Sequence, residues 1–438
     1  MKRHTTVLIF TFLCTIVQAQ TWPYELDSVM SVLEKEEIIH GQVLISENGE
    51  LKFSKAYGKN REGLKFTTQT SIDIQSVAKW FTSLAILKLY EDGKLSLDDP
   101  LEKYYPTINY PGVKIKHLLN HTSGMPKFFE AVYSHWPQDK FLTPVAMVEL
   151  IEKLNLPPLS EPGVEELYNQ TAYMLLPKVI EQVSGQNFTD YVRKYIIEPA
   201  GLENTNFNVE KPEFLENIGK ANIDNLFARM LGDGNMQSTA NDLFKLDQAI
   251  RSEKIFMKDN IELGYVPANL TSGESKFGYG GSLIEKEAGK RQFQHMGQGT
   301  TSNAVVTRYI DSGDILIILH DQSVEHAYHV YMTVKNIWEG KPYEIPENRI
   351  VFTLSEELMN KYIGDYGENG FMHITTENGK LFIQPDGNPS KIEIIPSSET
   401  TFYFKDQSID WEIYLDVDGN VIGFGPEGQP EHMMLRQK

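Results

Sequence analysis

The chain has 438 residues and one cysteine, and its 41 basic and 60 acidic side chains give a formal net charge of −19. Because hydrophobic residues make up 41% of the sequence, the chain can bury a large core and is not expected to be disordered. So acidic a protein is a poor electrostatic partner for nucleic acid or anionic lipid. A single cysteine excludes a disulfide framework and any cysteine-rich metal site.

Residues 1–19 have the pattern of a secretory signal peptide. Lys2 and Arg3 give a positive start, residues 7–17 are mostly apolar, and Ala19 is a small residue suited to cleavage. The apolar run is too short to span a bilayer as a helix, and no later segment is long and apolar enough. We therefore predict cleavage after Ala19 and a periplasmic or secreted protein, with an N-terminal anchor or a buried helix as alternatives.

The first strong structural signals are a hairpin and a helix. Residues 41–57 alternate apolar and polar side chains around Asn48-Gly49, which predicts a β-hairpin. Residues 77–92 have apolar positions at helical spacing and are followed by Gly93, a residue favoured just after a helix.

The middle of the chain is predicted to be mostly helical, with helices at residues 171–184 and 188–197. Residues 301–320 predict two strands joined by a turn at residues 311–314. Strands at both ends of this region, with helices between them, predict one sheet on which the helices pack.

The pattern changes after residue 342. Two prolines, Pro342 and Pro346, indicate a linker, which we place at residues 343–350. Beyond it, short alternating stretches are separated by hairpin turns such as Asn378-Gly379. We therefore predict a main domain at residues 20–342 and a separate antiparallel β domain at residues 351–438, either a small barrel or a sandwich.

The segment Ser76-Val77-Ala78-Lys79 has the clearest chemical meaning. The predicted helix puts Ser76 at its N-terminus and Lys79 one turn later on the same face. A helix N-terminus favours negative charge on an attacking serine oxygen, and a lysine with a lowered pKa can accept the hydroxyl proton. Taken alone, an N-cap serine followed by a surface lysine is the better interpretation.

Three further segments reverse that weighting: LLNHTSG at residues 118–124, EPGVEELYNQ at 161–170 and FQHMGQG at 293–299. With the Ser-x-x-Lys, they resemble in order and spacing the serine β-lactamase and penicillin-binding protein superfamily, in particular its class C-like esterase and peptidase branch. The resemblance implies an α+β fold, in which helices flank a mainly antiparallel sheet beside a helical subdomain. The C-terminal β domain is an addition to that fold.

The resemblance implies a role for each matching residue. Ser76 is the acylating nucleophile, Lys79 accepts its proton, and Tyr168 moves a proton between Ser76 and the leaving group. His295 stands near Tyr168 and the substrate, where many members have a lysine. The backbone N–H groups of Ser76 and Gln298 form the oxyanion hole.

Two positions depart from the family pattern. Gln170 stands where an asparagine is usual, two residues after the tyrosine, with Asn169 between them. Met296 replaces a residue that often carries a hydroxyl, just before Gly297. We expect Asn169, Gln170, Met296 and Gly297 to contact the substrate. Asn169 also begins an Asn-x-Thr glycosylation signal, and a glycan there would block the site, which favours a bacterial periplasm.

His295 indicates which substrates are expected. A histidine is mostly neutral at neutral pH, so it lacks the fixed charge that pairs with the carboxylate of a β-lactam, although a neighbouring arginine could restore that charge. We predict a serine hydrolase that cleaves an ester or amide of a small molecule or peptide. The alternatives are a β-lactamase or D,D-carboxypeptidase and, in another class, a non-catalytic binding protein on the same fold. The resemblance implies no metal or organic cofactor, and the oligomeric state stays open.

Overall fold

The structure is a computed structural model that describes residues 21–437 except 61, 211–224, 271–272, 281–282, 288–289, 300–301, 322–326, 349–350, 387–390 and 405–409. The predicted signal peptide, residues 1–19, lies outside the described residues. Within the described part of the chain, no helix is both long and apolar enough to cross a membrane.

The helices are distributed along both predicted domains. Their bounds are α1 (Trp22–Lys35), α2 (Ala78–Glu91), α3 (Ile115–Leu119), α4 (Phe128–His135), α5 (Pro144–Leu154), α6 (Gln170–Ser184), α7 (Phe188–Val192), α8 (Glu198–Ala200), α9 (Ala240–Arg251), α10 (Lys258–Glu262), α11 (Ala327–Glu339) and α12 (Glu356–Tyr362). The predicted helix at residues 188–197 is α7, continued by a wider π-helical turn at Arg193–Ile197.

The strands of the main domain are β1 (Gly41–Glu47), β2 (Glu50–Tyr57), β3 (Ile72–Asp73), β4 (Asn206–Phe207), β5 (Met236–Ser238), β6 (Asn269–Leu270), β7 (Gly273–Glu274), β8 (Leu283–Glu287), β9 (Lys290–Gln298), β10 (Asn303–Tyr309) and β11 (Ile315–His320). Six of them form one antiparallel sheet in the order β2-β1-β11-β10-β9-β8. The predicted sheet built from both ends of the domain is therefore confirmed.

Helices cover both faces of this sheet, because its central strands carry apolar side chains on both sides. Leu44 of β1 faces the larger core, which includes α2 and α6, whereas Val43 faces a second core with α1 and α11. Helix α2 is buried along almost its whole length, as expected for a helix that is apolar on every side. The fold is the predicted α+β arrangement.

A short three-stranded sheet, β3-β5-β4, sets the entry to α2. Ile72 of β3 pairs with Ser238 of β5, and the chain then turns through Gln75–Val77 into α2. Because Ile74 N–H also donates to the carbonyl of Met236, the turn is held on the side of β5.

The C-terminal domain is a nearly closed antiparallel barrel, which decides between the two predicted β architectures. Its neighbouring strands are β12 (Gly364–Tyr366), β13 (Met372–Glu377), β14 (Lys380–Pro385), β15 (Ile392–Pro396), β16 (Thr401–Tyr403), β17 (Trp411–Leu415), β18 (Val421–Pro426) and β19 (Met434–Leu435). A bridge between Tyr366 and Arg436 joins the first strand to the end of the last. The predicted linker has neither helix nor strand at residues 343–348.

Candidate active site

Ser76 lies at the N-terminal end of the central helix, in the single 3-10 turn that precedes α2. The preceding residue, Gln75, has a φ of +49°, a left-handed conformation that is costly for a residue with a side chain. Asp73 supports this turn, because its Oδ1 accepts the Gln75 N–H at 2.8 Å. The turn leaves Ser76 partly exposed while Val77 is buried.

Lys79 lies one helical turn after Ser76 and is only 1% exposed. Its Nζ donates to Ser76 Oγ at 2.9 Å and to the backbone carbonyl of Asp233 at 2.9 Å. The same nitrogen lies 5.3 Å from the ring centre of Tyr168 and 5.7 Å from that of Tyr173. A buried amine needs such partners, and here one of them is the hydroxyl of Ser76.

Tyr168 completes the group at the serine. Its hydroxyl donates to Ser76 Oγ at 3.0 Å, so the amine of Lys79 and the phenol both contact one oxygen. The ring of His121 lies 4.4 Å from the Tyr168 ring and that of Phe277 lies 5.9 Å away, so Tyr168 is held from two sides.

His121 is a structural support beneath Tyr168. It is buried with a φ of +59°, and its Nδ1 accepts the backbone N–H of Asn169 at 3.1 Å. Burial, helped by the charge of Lys79, holds the pKa of His121 well below its usual value. A neutral ring is what an acceptor nitrogen requires.

Asn169, predicted to contact the substrate, lies inside the protein. It is 1% exposed, and its side-chain amide donates to the backbone carbonyls of Met125 and Pro126, at 2.8 and 3.2 Å. Its amide is therefore used to fix the loop before α4. Gln170 is the first residue of α6 and stays partly exposed.

Strand β9 packs directly against the turn at Gln75–Val77, which is called the nucleophile turn below after the predicted role of Ser76. A Cβ atom at Gly297 would lie 2.3 Å from the carbonyl oxygen of Ile74 and 3.1 Å from the backbone nitrogen of Ser76, so only glycine fits there. At Gly297 the backbone of β9 is therefore in close contact with the backbone at Ile74 and Ser76. The side chains of Gln298 and Met296 are exposed on the strand, Met296 by 43%.

His295 points from β9 into the core and is 2% exposed. Its ring stacks on Trp80 of α2, with centres 4.8 Å apart, and burial lowers its pKa well below the usual value, with Arg308 adding to the effect. Arg308 is itself 1% exposed and ion-paired with Asp247. An arginine does lie near His295, but its charge is paired with Asp247 inside the protein and does not face the cleft.

Asp233, Gln75 and Trp80 belong to the site but were not predicted. Asp233 holds Lys79 through its carbonyl, and Gln75 Nε2 donates to Ser302 Oγ at 2.9 Å, which ties the nucleophile turn to the start of β10. The position of Gln75, directly before Ser76 in the sequence, could have indicated that it belongs to the site. The contact between Lys79 and Asp233 spans 154 residues, and no sequence pattern indicated it.

The fold and the grouping of serine, lysine and tyrosine define a serine hydrolase of the β-lactamase type. A sequence profile of the Beta-lactamase family matches residues 27–332, and the chain belongs to that family. Penicillin-binding protein 4* of Bacillus subtilis (strain 168) is 27% identical over 424 residues, which cover 90% of this chain and 94% of that protein. Teichoic acid D-alanine hydrolase of Staphylococcus aureus is 30% identical over 233 residues, 50% of this chain and 56% of its own length.

Solved structures share the fold, among them the following two. The octameric penicillin-binding protein homologue from Pyrococcus abyssi has a TM-score of 0.62 at 24% identity, covering 94% of this chain and 99% of that one. D-amino acid amidase from Ochrobactrum anthropi SV3, solved with L-phenylalanine, has a TM-score of 0.56 at 20% identity, covering 68% and 92%. The predicted superfamily and the predicted enzyme class are confirmed.

Proposed function

We propose that this protein is an exported hydrolase that cleaves an ester or amide bond through an acyl-enzyme on Ser76. The observation that carries the proposal is the pair of hydrogen bonds at the serine, 2.9 Å from Lys79 Nζ and 3.0 Å from Tyr168 OH. Two groups able to exchange protons contact one nucleophilic oxygen, which is the arrangement that activates a serine.

The chemistry proceeds in two steps. Ser76 Oγ forms a bond to the acyl carbon while its proton passes to Lys79 or Tyr168, and the leaving alcohol or amine departs with a proton from the same pair. Water then attacks the acyl-enzyme, gives a proton to the pair, and releases the acid while Ser76 recovers its own proton. Tyr168 is suited to carry protons because it is partly exposed, whereas Lys79 is buried.

The backbone N–H groups of Ser76 and Gln298 form the proposed oxyanion hole. Its support is the contact of β9 with the nucleophile turn at Gly297, where there is no room for a Cβ atom. Removing one donor from such a hole costs about 3–4 kcal/mol of transition-state stabilisation.

The proposed substrates are esters and amides whose recognised end is not a carboxylate. His295 is buried and held neutral, and Arg308 is sequestered, so neither supplies a cation to the cleft. The names of two similar proteins fit this class, since one is a hydrolase of teichoic acid D-alanine and the other a D-amino acid amidase. Gln170 and Met296, at the exposed end of the site, are the proposed contacts to the acyl or leaving group.

A D,D-carboxypeptidase or β-lactamase activity is the second candidate. Its support is the similarity to penicillin-binding protein 4*, which covers 94% of that protein. Turnover of nitrocefin or of an acyl-D-alanyl-D-alanine peptide at a higher kcat/KM than matched esters and amides would establish it in place of the first candidate.

Covalent labelling tests the proposal. A fluorophosphonate probe is expected to label the protein, with the modified peptide containing Ser76, and Ser76→Ala is expected to abolish both labelling and hydrolysis of a panel of esters and D-amino-acid amides. Ser31→Ala, an exposed serine on α1, is the matched control and should label as the unchanged protein does. Hydrolysis by Ser76→Ala at the original rate contradicts the proposal. A correctly folded, unchanged protein that is neither labelled nor active also contradicts it, and favours a binding protein.

Export is proposed from the sequence of residues 1–19 alone. The mature protein is expected to begin at Gln20 and to be recovered outside the cytoplasm of a bacterial host. N-terminal mass spectrometry of the exported form checks this, and an intact Met1 in a cytoplasmic fraction contradicts it.

The proposed domain bounds are 20–342, with a linker at 343–350 and the barrel at 351–438. Their support is that the barrel has a hydrophobic core of its own, which begins at Leu354. As a role for the barrel, we propose that it narrows access to the cleft. Deletion of residues 351–438 should then raise kcat/KM for large substrates but not for small esters. If the deletion left kcat/KM unchanged on both kinds of substrate, this role for the barrel would be excluded.

A further inference from the structure

Asp233 contacts Lys79 through its backbone and carries an acidic side chain that the serine chemistry above does not use. Its backbone carbonyl accepts from Lys79 Nζ at 2.9 Å, and the same nitrogen donates to Ser76 Oγ at 2.9 Å. The backbone of Asp233 is therefore linked to Ser76 through a single residue, Lys79.

The loop that carries Asp233 is fixed in place. Thr82 of α2 donates to the carbonyl of Gly232 at 2.7 Å, and Asn235 donates to the carbonyls of Phe227 and Met230 at 2.9 and 2.7 Å. A Cβ atom at Gly232 would lie 2.3 Å from the carbonyl oxygen of Tyr173, so the loop is packed tightly against α6. The backbone that carries the Asp233 side chain is therefore held in one position before a ligand binds.

The carboxyl group of Asp233 is not hydrogen-bonded to another of the described residues. It accepts the N–H of its own backbone, and within the described part of the chain no other residue forms a hydrogen bond or ion pair with it. Burial raises the pKa of Asp233, and the charge of Lys79 opposes that rise, yet the residue stays partly exposed. A carboxyl group without a hydrogen-bond partner, on a residue that stays partly exposed, is suited to bind a cationic ligand.

We propose that Asp233 binds the free α-ammonium group of an aminoacyl substrate, so that the enzyme acts on esters or amides of amino acids whose amine is unblocked. This inference depends on the proposed acylation of Ser76. The α-ammonium is two covalent bonds from the acyl carbon, so in the acyl-enzyme it lies close to Lys79. Protonated Lys79 repels the ammonium, and the Asp233 carboxylate offsets that repulsion with a charge-assisted hydrogen bond.

The test compares two substrates that differ only in the charge of the amine. The kcat/KM of D-alanine methyl ester is divided by that of N-acetyl-D-alanine methyl ester, for the unchanged enzyme and for Asp233→Asn. The variant is expected to lower this ratio about ten- to hundredfold, the value of one hydrogen bond to a charged group. Asp233→Glu should recover part of the ratio. Glu165→Gln, which removes an exposed acid three residues before Tyr168, is the charge control and should keep the ratio.

An equal loss on both substrates in Asp233→Asn overturns the inference, because it would mean that Asp233 acts only through Lys79. A second measurement does not depend on turnover: binding of D-alaninamide and N-acetyl-D-alaninamide to Ser76→Ala, with and without Asp233→Asn, by calorimetry. Preference for the free amine that Asp233→Asn abolishes supports the inference even if Ser76 proves not to be the nucleophile. Hydrolysis of neutral esters through Ser76 without any Asp233-dependent preference leaves the proposed function standing and refutes the inference.

Discussion

The two domains bury different kinds of side chain. In the first domain, polar and charged residues such as Lys79, Asp247 and Arg308 lie under the cleft or behind its sheet, each joined to partners. The described residues of the barrel include no buried side chain of the polar or charged kind, and its core consists of aliphatic and aromatic groups. Because burying a charge costs free energy unless the charge is paired, the buried ions of the first domain require the partners that the structure gives them.

Aromatic rings show the same contrast. Around Lys79 the rings of Tyr168 and Tyr173 face an amine and are part of the polar group. In the barrel, Phe424 is surrounded by other rings, including Trp411 stacked at 5.1 Å and Phe402 at 6.4 Å. Substitutions in the first set should therefore change activity more than stability, and substitutions in the second set should do the reverse.

Replacing Lys79 should give the largest effect. Lys79→Met keeps the length of the side chain and removes the amine, so kcat/KM on any accepted ester is expected to fall about 10³-fold or more, because the serine loses its proton acceptor. The free energy of unfolding should change little, since an apolar side chain suits the buried position. Steady-state kinetics and urea unfolding check the two parts. Lys88→Met, on the same helix but paired with Glu91, should stay near the original activity, and a Lys79→Met enzyme as active as that control would contradict the assignment.

Phe424→Ala should give the converse result. Phe424 is 0% exposed at the centre of the barrel, and truncating such a ring costs about 3–5 kcal/mol of the free energy of unfolding. The loss should appear in the barrel transition during denaturation while hydrolysis of small esters is kept. Val417→Ala in the same domain is the control, because Val417 is fully exposed. If Phe424→Ala abolished hydrolysis of small esters at a temperature where the barrel is folded, the separation of the two domains would be wrong.

Gly297→Ala should affect the site through the backbone alone. The added methyl group would lie 2.3 Å from the carbonyl of Ile74, so β9 must move away from the nucleophile turn. A displacement of this kind costs about 10²-fold in kcat, because the oxyanion donors no longer match the reacting oxygen. Gly234→Ala is the matched control, since nothing lies within 4 Å of the position of its Cβ atom. Equal activity of the two variants would remove β9 from the proposed oxyanion hole.

Short-range patterns made much of the fold predictable. The hairpin at Asn48-Gly49 and the barrel hairpin at Asn378-Gly379 were predicted because a two-residue turn fixes its own strands. Ser76 and Lys79 were predicted to meet because they are three residues apart at one helix. Tyr168, 92 residues from Ser76, was identified only through the family resemblance.

Contacts between distant residues explain what the sequence did not disclose. The choice between barrel and sandwich depends on the bridge from Tyr366 to Arg436, at opposite ends of the domain. Asn169 was expected at the substrate, but its side-chain NH2 group donates to the carbonyls of Met125 and Pro126 on another segment. The neutrality of His295 was predicted from its residue type, whereas its stacking on Trp80 and the pairing of Arg308 required the structure.

The smallest expected effect is an acid sensitivity confined to the first domain. His295 and His121 have pKa values held well below 6.5 by burial, and that of His117 is lowered to about 4. Below about pH 6.5 the unfolded chain binds protons that the folded domain does not, so stability is present above this pH and is lost as pH falls towards 4. A fully buried histidine contributes up to about 1.4 kcal/mol per pH unit in this range.

The acid effect is measured as the dependence of the urea unfolding free energy on pH between 7.5 and about 5. Asp233, whose pKa is raised by burial, acts in the opposite direction, so the informative quantity is a difference between variants. His295→Gln should have a shallower loss of first-domain stability than the unchanged protein, whatever its stability at pH 7.5. His373→Gln in the barrel, where the imidazole is partly exposed, should keep the original slope. If His295→Gln and the unchanged protein lost stability in parallel, His295 would not be the buried neutral group that separates this site from one with a fixed cation.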